Sequence, residues 1–375
     1  MATPPSGAGQ PQHIRPASTP TPASAAKPAA KPAAAPAPAK APLGPQPPKE
    51  RILVTGAAGF IGSHLIPRLL AAGHPVSGMV RYERRASDSS KRRMVALEAL
   101  QARFKDRLQL VQCDDGLAMN EVVARTRPEI CIHLAGRSWI RESVAWPELY
   151  VEANYRTTVG LLNALHLSAC RRLVFASTVM VYGKDAPLPY MEECLGSAPS
   201  SPYGASKLAC EALVNTYHAL HKTETVNLRL FAVYGPDMRE DCVPHLIASA
   251  IMKGRPFTVF GDGSSMRDYV EVSDVLAAIE AACRGHESYA ALNIGSGFGT
   301  TLMDLLRLLE KCFGKKTELA FKAANRGELP VAVPDISLAM EKLHWEPRVS
   351  IEAGMARLAD WFKSPACPLN GNGAR

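Results

Sequence analysis

The run RILVTGAAGFIGSHL, from Arg51 to Leu65, constrains this chain more than any other segment. Four residues suited to a strand, Ile52–Thr55, lead into Gly56, Gly59 and Gly62, and an amphipathic stretch follows over 61–72. A strand that turns through glycines into a helix brings the helix N-terminus, with its unpaired N–H groups and positive dipole end, to the edge of a sheet. Gly56 permits the tight turn, Gly59 lets backbone amides approach a pyrophosphate, and Gly62 lets the helix pack against the strand, with Phe60 and Ile61 completing the loop. The segment predicts the first βα unit of a dinucleotide-binding fold.

The rest of the chain fits that start. Strands are predicted at 52–55, 76–80, 108–112, 130–134, 173–176 and 226–230, and helices near 61–72, 91–104, 117–126, 147–168 and 203–220. This alternation predicts an α/β fold, a Rossmann-type doubly wound parallel sheet covered on both faces. Further helices near 243–253, 273–284 and 301–313 predict a smaller C-terminal substrate-binding lobe over the carboxyl ends of the strands. The expected organisation is a Pro/Ala-rich, extended tail over 1–49, a cofactor domain over 50–231, and a substrate lobe over 232–375 with segments returning to the sheet. Proline fixes φ and removes donors while alanine has little to bury, so the tail cannot build a core.

Charge and cysteine usage narrow the class. The net charge is +8, but Arg15, Lys27, Lys31, Lys40 and Lys49 lie in the first 49 residues, which contain no Asp or Glu, leaving +3 for the rest. That diffuse charge, without interleaved aromatics, argues against nucleic acid as a partner. No apolar run is long enough to predict a membrane span. The nine cysteines are scattered without metal spacing, as expected of free thiols in a reducing cytoplasm. His218 and His221 stand three apart without an accompanying carboxylate motif and are read as surface residues, so no metal is expected.

Two segments carry chemistry. In SPYGASKL, Tyr203 and Lys207 are four apart on a predicted helix and share a face, so a phenol and an ammonium can meet one ligand. A free phenol, with a pKa near 10, is too weakly acidic to serve as a base at neutral pH, and a neighbouring cation favours its ionised form. At the end of the second strand, Val80 and Arg81 occupy the place of the carboxylate that holds an adenosine ribose, and Arg84 and Arg85 follow. Cations there suit a 2′-phosphate, which favours NADP over NAD.

The glycine spacing GxxGxxG, HLAG at 133–136, STVMVYG, YxxxK, RLFAVYGP, VFGDGSSMRDYVEVSD, NIGSG and W-E-P occur in the order found in the extended short-chain dehydrogenase/reductase family. The chain resembles the nucleotide-sugar epimerases and dehydratases of that family from about Arg51 to Phe362. The resemblance implies that Thr178 holds the substrate oxygen against Tyr203, with Ser177 beside it as a substrate-binding residue, and that Leu134 and Ala135 lie beneath the nicotinamide ribose. It implies that Asp114 meets the adenine amine, that Arg267 and Arg326 bind the nucleotide diphosphate, and that Asn154 is mainly structural. SWIRESVAWP resembles a segment of UDP-glucuronate 4-epimerases, making Arg141 a candidate contact to a sugar carboxylate; Arg239, after VYGP, is another. Family members pair through two helices of the Rossmann lobe, here near 147–168 and 203–220, so a homodimer is expected.

The related dehydratases and decarboxylases carry a carboxylate two positions after the catalytic Thr; here that position is Met180, which exchanges no proton. The resemblance therefore favours a nucleotide-sugar 4-epimerase. Two departures oppose it: Ala232 stands where the family usually has Asn or Thr, and VRYERR looks more like GDP-mannose dehydratases and related NADP enzymes. Two other readings stay open, an NADP-dependent sugar reductase or 4,6-dehydratase and a non-catalytic dinucleotide-binding regulator.

Overall fold

The computed structural model describes residues 49–81, 87–113, 118–285, 287–323 and 329–370. Asp114, Arg326, Arg84, Arg85 and residues 1–48 of the predicted tail over 1–49 lie outside the described residues.

The first half alternates β1 (Ile52–Thr55), α1 (Phe60–Ala71), β2 (Val76–Val80), α2 (Asp88–Arg103), β3 (Leu108–Gln112), α3 (Met119–Thr126) and β4 (Ile130–His133). Then come α4 (Ile140–Ala145), α5 (Pro147–Tyr150), a π-helical turn (Val151–Arg156), α6 (Thr157–His166), β5 (Arg172–Thr178), α7 (Pro202–His221) and β6 (Glu224–Leu230). The rest comprises β7 (Ala232–Tyr234), α8 (Val243–Lys253), β8 (Phe257–Phe260), β9 (Met266–Glu271), α9 (Val272–Arg284) and β10 (Tyr289–Ile294). It ends with β11 (Gly299–Thr301), α10 (Leu302–Phe313), β12 (Leu319–Lys322), β13 (Val331–Ala332), α11 (Ser337–Leu343) and α12 (Ile351–Lys363).

The main sheet runs β3-β2-β1-β4-β5-β6-β10, every pair parallel. Neighbouring residues of a strand point to opposite faces. Ile52 and Val54 accordingly join one core with Leu65 of α1, Leu97 of α2 and Ile279 of α9, while Leu53 joins another with Val122 of α3, Leu161 of α6 and Val214 of α7. The chain builds outward from β1 to β3 and returns on the other side of β1 as β4. At such a switch point the loops leave in opposite directions and open a crevice. A smaller sheet centred on β9, with β7, β11 and β13, rests with α8, α10 and α12 on a third core containing Tyr234, Ile247, Leu306 and Phe362.

The predicted helix over 147–168 runs from Pro147 to His166 as α5, the π-helical turn and α6 in direct succession. Pro147 opens it: it donates no N–H and pushes its predecessor out of helical geometry, so Trp146, at φ −137°, ψ 66°, separates it from α4. The seventh strand, β10, was not among the predicted strands. It pairs in parallel with β6 and forms one edge of the sheet. Among the described residues no helix is long and apolar enough to cross a membrane.

Candidate active site

Close approach of backbone explains the glycines of the first turn. Gly56 has φ +68°, and a Cβ there would stand 2.8 Å from Ala135 N; a Cβ on Gly62 would stand 2.4 Å from Gly56 O. The first turn therefore abuts Leu134–Ala135 at the end of β4. Gly59 is exposed and caps α1 without a side-chain bond, and the first turn of α1 has no acidic residue. The amides opening α1, among them those of Phe60 and Ile61, are thus presented at a site suited to a diphosphate. Arg81 follows β2 directly and is exposed.

The β4 end is held from below. Thr55 Oγ1 accepts from Ala135 N at 3.1 Å, so its hydrogen goes to His133 Nδ1 at 2.6 Å. Thr158 Oγ1 donates to Asn154 O at 2.6 Å, so it accepts from His133 Nε2 at 3.1 Å. His133 is therefore assigned neutral with its proton on Nε2. Burial, with a smaller contribution from Lys207, lowers its pKa to about 3. Asn154, in the π-helical turn, accepts from Arg137 N at 2.7 Å and donates to Ser206 Oγ at 2.9 Å, joining the HLAG turn to α7.

Tyr203 and Lys207 lie one turn apart near the start of α7, whose N-cap Ser201 accepts from Gly204 N. Burial raises the Tyr203 pKa, while the neighbouring Thr178 hydroxyl and the charge of Arg239 lower it. Lys207 Nζ donates to Ala176 O at 2.8 Å and lies 4.6 Å from the centroid of Phe175. One of the three ammonium donors is thus anchored on β5, and Arg239 adds a second positive charge that favours the ionised phenol. Burial also lowers the Lys207 pKa, against the pull of Cys210 and Glu211.

Ser177 is buried, and its hydroxyl donates to buried Glu211. Thr178, the next residue along β5, is the hydroxyl that meets Tyr203. Glu211 is held by Arg229, with Nη2 at 2.8 Å from its carboxylate. Sequence reasoning missed this pair, although Glu211 lies one turn beyond Lys207 on the same face of α7.

The cations placed on the substrate side are differently engaged. Arg239 donates to Ser138, pairs with Asp241 at 2.9 and 2.5 Å, and lies 5.8 Å from the Trp139 ring centroid. Arg141 stacks on Phe260 at 4.7 Å. Arg267 Nη1 donates to Met266 O and Pro330 O at 2.9 and 3.2 Å. Met180 is buried in the apolar cluster that also contains Tyr203 and Tyr150. Ala232 is half-buried at the start of β7.

The profile of the GDP-mannose 4,6 dehydratase family matches residues 53–358, more than four-fifths of the chain. This chain belongs to the extended short-chain dehydrogenase/reductase family, among the nucleotide-sugar epimerases and dehydratases. It is 31% identical over 312 residues to the UDP-glucuronate 4-epimerase of Thermodesulfobacterium geofontis, covering 83% of this chain and 95% of that protein. It is 34% identical over 323 residues to the UDP-glucose 4-epimerase of Mycolicibacterium smegmatis, covering 84% and 99%. The crystal structure of the Bacillus cereus UDP-glucuronic acid 4-epimerase, in complex with UDP-glucuronic acid and NAD, superimposes with a TM-score of 0.77 at 31% identity, covering 84% of this chain and 99% of that one. The match with solved enzymes of this family agrees with the predicted doubly wound fold.

Proposed function

We propose that this protein is a nucleotide-sugar 4-epimerase that acts through a transient 4-keto sugar, with a hexuronate or hexose on UDP as substrate. The observation that carries the reading is Met180. Two residues beyond Thr178, it is an apolar side chain buried with Tyr203, where a dehydratase needs a proton-exchanging group. A 4-epimerase needs no group there: the same site oxidises C4, lets the ketone turn, and reduces its other face.

The residues take the following parts. Bound at the Gly56–Gly62 turn, a nicotinamide dinucleotide supplies the reversible hydride acceptor. Tyr203 takes the proton of the sugar 4-hydroxyl and returns it after the turn, while Thr178 holds that oxygen against the phenol. Arg239 lowers the cost of ionising the phenol. Lys207, fixed on Ala176 O beside the HLAG turn, holds the ribose next to Leu134 and Ala135. Arg267, with Arg326, takes the diphosphate, and Arg141 and Arg239 supply the charge that suits a C6 carboxylate. The absence of a carboxylate at Val80–Arg81 supports NADP, whereas the Bacillus cereus structure contains NAD. The same reading makes the protein a cytoplasmic homodimer through α6 and α7, supported by exposed Leu220 on α7 and Leu167 at the end of α6. A monomer at micromolar concentration by sedimentation would refute that pairing.

Incubation with UDP-glucuronate, UDP-glucose or GDP-mannose, each with NAD⁺ or NADP⁺, tests the activity by chromatography with mass detection. An equal-mass product at a new retention time without net cofactor reduction is expected, and Tyr203→Phe abolishes it. A product one water lighter would make the enzyme a dehydratase, and net turnover of the dinucleotide would make it a reductase.

A further inference from the structure

Arg93 looks, in sequence, like one cation of the solvated run Lys91–Arg93. In the fold its side chain is only 4% exposed and joins the glycine turn after β1 to the loop after β7. Its Nε donates to Ala58 O, at 3.1 Å, inside the dinucleotide turn. Its Nη1 donates to Asp237 O, at 2.8 Å, in the loop that follows β7. Nη2 is occupied by the Ser89 and Ser90 hydroxyls at 3.5 and 3.3 Å.

The Asp237 corner is strained. Its φ is +54°, a left-handed conformation that a non-glycine residue adopts at a cost unless its surroundings hold it there. The two arginines of α2 do so. Arg93 bonds the Asp237 carbonyl, Arg92 Nη2 donates to its Oδ1 at 2.9 Å, and Arg93 Nη1 stands 3.5 Å from its Oδ2. Glu240, three residues on, accepts from Ser89 N at the opening of α2 at 3.3 Å. Between these two anchors lies Arg239, whose charge favours ionisation of the Tyr203 phenol.

We propose that Arg93 is a positioning residue: it locks the Asp237 corner to the dinucleotide turn through Ala58 O, so that occupation of the dinucleotide site sets Arg239 over the sugar site. The inference rests on the epimerase reading above for the identity of both ligands. The planar guanidinium holds its Nε and Nη1 donors in fixed, divergent directions, which a point-like ammonium on a flexible stem does not reproduce.

Binding without turnover isolates the effect. In the Tyr203→Phe background, calorimetry gives the affinity for UDP-glucuronate with and without saturating dinucleotide. The dinucleotide is expected to tighten sugar-nucleotide binding by about tenfold, and Arg93→Met or Arg93→Lys to reduce that factor to near one. With Tyr203 intact, the same variants raise KM more than they lower kcat and move the acidic limb of the kcat profile upward by about one pH unit as Arg239 drifts from the phenol. Adding Asp237→Gly, which accepts the left-handed corner without support, partly restores KM but not the coupling.

A folded Arg93→Lys with the wild-type coupling factor and pH limb overturns the inference alone. A wild-type protein that binds neither UDP-glucuronate nor a dinucleotide overturns the functional reading and the inference together. If Arg93→Met fails to fold, Arg93→Lys, which keeps the buried charge, decides the matter.

Discussion

Replacing Arg229 with methionine is expected to destabilise the fold by about 3–5 kcal/mol, because it leaves the Glu211 carboxylate charged and unpaired in the interior. The side chains of Arg229 and Glu211 are 5% and 3% exposed. Burial alone would lower the Arg229 pKa, and its bonds to Glu211 more than reverse this. Nε and Nη2 reach the carboxylate at 3.1 and 2.8 Å, Nη1 donates to Glu192 O at 2.8 Å, and the guanidinium lies 4.8 Å from the Tyr182 ring centroid. Methionine fills most of the volume, so the loss is chiefly electrostatic. Removing both charges, in Arg229→Met with Glu211→Leu, should recover most of it. A deficit of about 1–2 kcal/mol remains from the Ser177 hydroxyl and the Glu192 carbonyl, which lose their partners. Urea unfolding followed by circular dichroism and tryptophan fluorescence measures all three proteins, provided the slopes agree. A double variant as unstable as Arg229→Met would refute the reasoning, since the penalty would then come from packing. Because Ser177 precedes Thr178 on β5, Glu211→Leu should also lower kcat.

Two further predictions concern the floor and the first turn of the cleft. His133 has a folded pKa of about 3 against an ordinary value of 6.5, depressed by burial and then by Lys207. Its neutral form contributes stability that is fully present above pH 6.5 and is lost as pH falls toward 3, up to roughly 5 kcal/mol. His133→Gln should flatten the stability profile in that window, and an unchanged acid slope would refute the assignment. Gly62→Ala forces a Cβ to within 2.4 Å of Gly56 O and 2.9 Å of Ala57 O, both backbone atoms that can move only with the turn. It should cost about 1–3 kcal/mol and weaken dinucleotide binding by more than about tenfold, read by fluorescence titration. Wild-type affinity would show that the turn has room the geometry denies it.

Features that depend on near neighbours in the chain are legible in the sequence. The strand–glycine–helix opening is encoded in adjacent residues, and β1, β2 and β3 fall at 52–55, 76–80 and 108–112 because short, largely apolar runs between helical stretches have few alternatives. The helix carrying Tyr203 and Lys207 is likewise local, with its N-cap at Ser201 and Pro202 at its start. Tertiary structure decided where side chains with several possible partners spend their bonds. Ser177 turns to Glu211, Lys207 to Ala176 O, and Arg141 stacks on Phe260. Arg93, which reads as surface charge, is buried between two loops 179 residues apart, at Ala58 and Asp237. No periodicity reports such choices, because a buried charge takes whatever partner the packing of distant segments brings within reach, and leaving it without one costs more than any local preference supplies.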